Sequence, residues 1–148
     1  MAQNIRQQVS ENIVSVLQQL TDPRPVLVTR EPFVVQELAI TQFPAILVTP
    51  IREDRETITM GIPGVGRRMG TIEYQIQGFV RGNELDRKRN DLIEAIEEAL
   101  DSDRYRGLVT QGVIDSQIIA IEIIERQPPL AEFRITFQVK YNYLRTAT

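Results

Sequence analysis

The 148-residue chain is predicted to be α+β: a two-layer sandwich, a mainly antiparallel β-sheet covered by two principal α-helices, with a long Gly-rich loop arm. Apolar residues recur at spacings of three and four in residues 5–20 and again in 85–100, which predicts the helices. Other segments alternate apolar and polar residues with a period of two. Short turns join them, favouring antiparallel neighbours. At this length one domain over 1–148 is expected, able to bury roughly 68–70% of its unfolded-chain surface.

In the first helix Ile5, Val9, Ile13, Val14, Leu17 and Leu20 make one stripe, which Thr21-Asp22-Pro23-Arg24-Pro25 ends. Strand-like stretches follow at Val26 to Glu31, Phe33 to Leu38 and Ala45 to Thr49, the last stopped by Pro50. Pro32 and Pro44 cut this region into short pieces, because proline in a sheet prefers edges and strand starts. Ile51 to Glu56 reads as a charged turn before another strand-like piece, Thr57 to Met60.

Further on, Ile72, Tyr74, Ile76 and Val80 alternate with Thr71, Glu73, Gln75 and Gln77, a half-buried strand with a bulge or bend near Gly78. Asn83 is the expected N-cap of the second helix, with Glu84 and Asp86 in its first turn. Leu85, Leu92, Ile93, Ile96, Ala99 and Leu100 form its apolar face, and its charged residues read as a solvated face. Asp101 to Gly107 is a polar connection. Val113 to Glu125 contains a strand around Ile118 to Ile124, apolar enough to lie inside the sheet. After the turn Gln127-Pro128-Pro129-Leu130 comes the cleanest pattern of all: Phe133, Ile135, Phe137, Val139, Tyr141 and Tyr143 on one face, with Arg134, Thr136, Gln138, Lys140 and Asn142 on the other.

The arm is residues 61–70, where four of the eight glycines lie between two strands. Such a run is expected to be neither helix nor strand interior, because glycine costs ordering entropy and admits positive φ. It also carries Ile62, Val65 and Met69 beside the pair Arg67-Arg68. That mixture points to an arm that orders against a partner, the bland alternative being a mobile surface loop.

Composition narrows the function. The net charge of −3 lacks the basic footprint of a general nucleic-acid binder. Fifteen of the seventeen cations are Arg, Lys88 and Lys140 being the others, and Arg suits interface contacts. With no Cys and no His, thiolate nucleophiles, Cys/His zinc sites and histidine acid–base catalysis are excluded. No signal peptide and no apolar run of the ~20 residues that a membrane span needs are visible, so a soluble, non-secreted chain is expected.

Chemical motifs are absent or broken. Gly61 to Gly66 has the spacing of a phosphate loop, but Arg67 and Arg68 stand where Lys and Ser/Thr are needed, and a strand follows instead of a helix. Gly64, Gly66 and Gly70 miss the dinucleotide spacing by one residue. The carboxylates Glu37, Glu53, Asp54, Glu73, Asp115 and Glu132 fall in turns or on alternating polar positions, where a surface acid is the default. The aromatics of the last strand share a face with Ile135 and Val139 and read as core, not as a base-stacking platform. No enzymatic activity, cofactor or metal is expected.

The layout resembles the phage tail terminator (tail completion) proteins of long-tailed viruses. The likeness is carried by the helix from Ile5-Arg6-Gln7 to Leu20, the strand entry Phe43-Pro44-Ala45-Ile46-Leu47-Val48, Tyr74-Gln75-Ile76 before the helix Arg89 to Leu100, and the closing segment Ala131 to Tyr141. The resemblance implies a structural virion protein forming a ring, usually of six copies, at the head-proximal end of the tail. Such a ring caps the tail tube, stops polymerisation and joins the tail to the neck or head connector, with DNA only passing through its lumen. It is assembled in the host cytoplasm, and the tail sheath is a further candidate partner; no membrane is involved. No catalytic residue is implied.

In this reading identical copies associate head-to-tail, as heterologous interfaces do when the rotation closes. The arm residues Ile62, Val65, Arg67, Arg68 and Met69 contact a neighbouring subunit or the adjoining tail ring. The alternative is a small α+β ligand-binding or regulatory module that binds an anion at Arg67/Arg68. An enzyme using carboxylates alone is the third.

Overall fold

A computed structural model describes residues 4–57 and 67–144. Helix α1 (Ile5–Gln18) leads into a three-residue strand β1 (Leu27–Thr29), then β2 (Ala45–Thr57), β3 (Arg67–Arg81), helix α2 (Leu85–Asp101), β4 (Val113–Ile124) and β5 (Leu130–Leu144). The strands form one mixed sheet in the order β1-β2-β3-β5-β4. Only β1 runs parallel to its neighbour; the other pairings are antiparallel. Both helices pack on one face, giving the expected α+β sheet covered by helices.

The core follows from the alternation. Register aligns Phe133 with Gly78, Ile135 with Ile76, Phe137 with Tyr74 and Val139 with Ile72, so all of these side chains meet the helices. Against them lie Val9, Ile13 and Leu17 of α1 and Leu92, Ile93, Ile96 and Leu100 of α2, all buried. Helix α1 starts on an Asn4 cap, whose Oδ1 accepts from the Gln7 N–H at 2.8 Å and satisfies one of the orphan donors of the first turn.

Arg106 closes the other helix. It is buried, and donates to the carbonyls of Leu100 in the last turn of α2 and Asp103 just past it while lying 5.5 Å over the Phe137 ring. Burial lowers its pKa, against the opposing pull of Asp103 and Asp101.

Several elements depart from the sequence reading. Pro50 does not stop β2, and Ile51 to Glu56 is strand rather than turn. The register shifts between Pro50 and Arg52, so a bulge absorbs the missing N–H. Because β1 pairs only with residues 45–47, β2 is an edge strand beyond them, where proline is tolerated. Gly78 shows no bulge: it sits in regular pairing beneath Phe133, and an added Cβ would lie 2.1 Å from that ring.

Only Leu27–Thr29 of the expected Val26 to Glu31 piece is strand, and Phe33 to Leu38 is a loop containing a 3-10 turn at Val35–Glu37. Its apolar side chains, with Phe43, instead pack on Ala45 and Phe79 across the second face of the sheet. Asn83 does not cap α2; Glu84 holds that position at φ 52° with no side-chain cap bond. Strand β4 is not inside the sheet but at its edge.

Candidate interaction surface

The arm residues divide at Arg67. Ile62 and Val65 lie outside the described residues. Arg67, Arg68, Met69 and Gly70 belong to β3, not to a loop. Their strand conformation has a packing cause: Gly70 leaves room for Tyr141, whose ring would lie 2.4 Å from a Cβ at this position. Arg68 pairs in register with Tyr143, and both are half-buried. The Arg68 Nε and the Tyr143 hydroxyl are buried with no hydrogen-bond partner among the described residues.

Beside them Glu53 collects three donors. Arg6 reaches its two oxygens at 2.6 and 3.1 Å, Arg55 donates at 2.8 Å, and the Tyr141 hydroxyl donates at 3.0 Å. The bulge at Pro50 makes this possible, because it returns Glu53 and Arg55 to the helix-side face opposite Ile72 and Gly70. Burial alone would raise the Glu53 pKa, but the hydrogen bonds from Arg6, Arg55 and Tyr141 outweigh it and hold the pKa below the usual 4.5. Burial, and then its bond to the Glu53 carboxylate, push Tyr141 above 10.0. The guanidinium of Arg55 also lies 5.1 Å over the Tyr143 ring.

Next to this network a cleft of about 420 Å³ opens between α1 and the β1–β2 margin, with Arg6, Arg30 and Arg52 around it. Ser10 and Tyr74, both buried, share a hydrogen bond of 3.1 Å on its floor. Unlike the partly buried Glu53, a second carboxylate read as a surface acid, Glu132, is fully buried. Arg126 at 2.7 Å, Arg134 at 3.1 Å and Gln77 at 3.2 Å hold it on the other face of the sheet. Two acids, each held by arginines within its own network, form the internal framework of this sheet.

The most exposed apolar surface with a regular backbone is β4. Among the described residues it pairs with β5 alone, leaving one edge of its twelve residues free. After the register shift between Ile118 and Ala120, Ile121 and Ile123 fall opposite Ile135 and Phe133, on the helix-side face but beyond the cover of α2. Ile119, Ile121 and Ile123 are 45%, 42% and 47% exposed. Covering what remains of three such side chains is worth roughly 2–4 kcal/mol. Long apolar edges invite pairing with another chain and are normally shortened, charged or covered.

The sequence pattern places the isoleucines in the interior, because an apolar run has the same appearance in a central strand and at an edge. Among the described residues, no group of three or more acidic side chains could hold a metal ion, and no helix is long and apolar enough to cross a membrane.

No protein-family model matches the chain, and no curated protein sequence matches it. Among solved structures it is similar to a chain of the virion of a native gene transfer agent particle, with a TM-score of 0.49 and 9% identity over 94% of this chain and 95% of the other.

Proposed function

We propose that this chain is a structural protein of a phage-like virion, acting by surface-to-surface fit and not by catalysis. Identical copies form a closed ring, of six subunits, on the last ring of the tail tube; the ring stops polymerisation and presents a surface to the neck or head connector. The observation that carries the reading is the free β4 edge with its three half-exposed isoleucines, which a solitary protein would be expected to shield. The resemblance of the whole layout to tail terminator proteins supports the same role.

Two other features fit. Ile62 and Val65, outside the described residues, act with Arg67, Arg68 and Met69 at the start of β3 in contacting a neighbouring copy, the tube or the sheath. The sheet face away from the helices is polar and carries both signs of charge, with Thr71, Gln75, Thr136 and Gln138 among Arg52, Asp54, Glu73, Arg134 and Lys140, a surface compatible with a lumen through which DNA passes. The test is native mass spectrometry and negative-stain imaging of the purified chain, alone and with tail tubes. Rings that bind tube ends are expected. A chain that stays monomeric at high concentration and leaves tube length unchanged would refute the proposal.

A further inference from the structure

The two lateral margins of the sheet differ in a way that allows one to receive the other. From these margins we infer that the β4 edge of one copy docks on the β1 margin of the next, with the outer carboxylates of α2 facing the arginine cleft beside α1. This inference rests on the ring reading above and assigns the surfaces that close it.

The topology sets β1 and β4 at opposite edges, about 19 Å apart across four strand spacings. Helix α1 covers the β1–β2 side and α2 the β3–β5–β4 side. The helices are antiparallel: Arg6 in the first turn of α1 meets Glu53 near the β2–β3 connection, and α2, starting just after the far end of β3, finishes towards that same end. A copy that sets its β4 edge beside the β1 margin of its neighbour therefore brings the C-terminal half of its α2 level with the neighbour's cleft.

Chemistry separates the two margins. From Asn90 to Asp103 the chain has six carboxylates and no Lys or Arg. Lys88 and Asp91 line a pocket with Pro23, Phe43 and Pro44, which fixes that flank of α2 as the one facing the β1–β2 side. At 100° per residue, Glu97 and Asp101 then lie on the opposite flank, towards β4, and Glu94 lies on the outer side. Glu94 and Glu97 make no ion pair among the described residues. Acids in the last turns of a helix oppose its dipole, and the last turn of α2 has no basic residue. Within one copy Glu94 and Glu97 are thus left without a cation, whereas the neighbour's cleft offers Arg30 and, beside its Asp54 partner, Arg52.

The apolar surfaces match as well. Against Ile119, Ile121 and Ile123 the β1 margin presents Val26, which directly precedes β1 and is 59% exposed. A two-fold contact of β4 with β4 would instead put the acidic flank of α2 beside its own copy. The head-to-tail contact joins unlike surfaces and can repeat until it closes.

Charge reversal in two separate chains tests the assignment. Arg30→Glu/Arg52→Glu and Glu94→Arg/Glu97→Arg change side chains outside the Glu53 network, all of them exposed except the half-buried Glu97, and circular dichroism with thermal melting establishes that each variant is folded. Each alone is expected to raise the concentration of half-assembly by about ten-fold or more, and added NaCl is expected to weaken wild-type assembly. Mixed one to one, the variants are expected to assemble again in even-numbered rings, because contacts of native and reversed sign alternate.

Wild-type rings together with either variant assembling normally alone, a mixture that stays dissociated, or a wild-type two-fold dimer would overturn this pairing of surfaces. A wild type that never forms rings would overturn the ring itself, so the two failures are distinguishable.

Discussion

Gly78→Ala puts a methyl group where Phe133 already is. An ideal Cβ would meet Cζ, Cε1 and Cε2 of that ring at 2.1, 2.3 and 2.8 Å. The ring cannot swing into solvent, because Phe133 is fully buried between the sheet and the helices. Overpacking of this kind costs about 1–3 kcal/mol, and contacts this short from three atoms place it at the upper end. Replacing glycine by alanine returns about 0.4–1 kcal/mol through the unfolded chain, leaving a net loss of about 2 kcal/mol. In a domain of this size that lowers the melting temperature by roughly 4–8 °C.

Urea titration at fixed protein concentration measures the loss, and the double variant Gly78→Ala/Phe133→Leu tests its cause. Trimming the ring removes the clash, so the double variant should be at least about 1 kcal/mol more stable than the sum of the two single losses predicts. A Gly78→Ala protein within about 0.5 kcal/mol of wild type, or strictly additive losses, would show that Phe133 does not occupy this space.

The Glu53 network should give stability two pH limits. The Glu53 pKa is depressed on folding, so its contribution is present above pH 4.5 and lost as pH falls through the folded value; that of Tyr141 is raised, so its contribution is present below pH 10.0 and lost as pH rises through the folded value. Melting curves of Glu53→Gln across pH should be shallower than wild type at both ends. Arg106→Ala leaves the Leu100 and Asp103 carbonyls without their donor and should cost about 2–3 kcal/mol by urea denaturation. Ile121→Lys/Ile123→Lys should change monomer stability by less than about 1 kcal/mol, since both side chains are nearly half exposed, while abolishing ring formation in sedimentation analysis.

Residues with a strong, unbroken period were legible from sequence. Helix α1, the apolar face of α2 and the whole of β5 follow from spacing alone, because their burial repeats the local geometry. The readings that changed all depended on a neighbour distant in sequence. Pro50 lies within a strand because β1 is too short to pair beside it. Gly70 and Gly78 are strand residues because Tyr141 and Phe133 lie over them, which glycine content alone presents as loop or bulge.

Glu53 and Glu132 appeared as surface acids because their arginine partners come from other elements. Strand β4 was read as interior because strand order is not written in any one segment. The surfaces that matter most for the proposed role are therefore those that local pattern describes least.

The buried Glu132 has a consequence for how the closing strand finds its alignment. Sliding β5 by one residue against β3 would turn Glu132 and Arg134 towards the helices and send Phe133, Ile135 and Phe137 to water. It would also pull the carboxylate away from Gln77 and Arg126, which reach it from β3 and from the turn before β5. A misaligned chain thus loses its greasy seam and strands a naked charge in one movement, so the fold carries its own proofreading at a strand in the middle of the sheet.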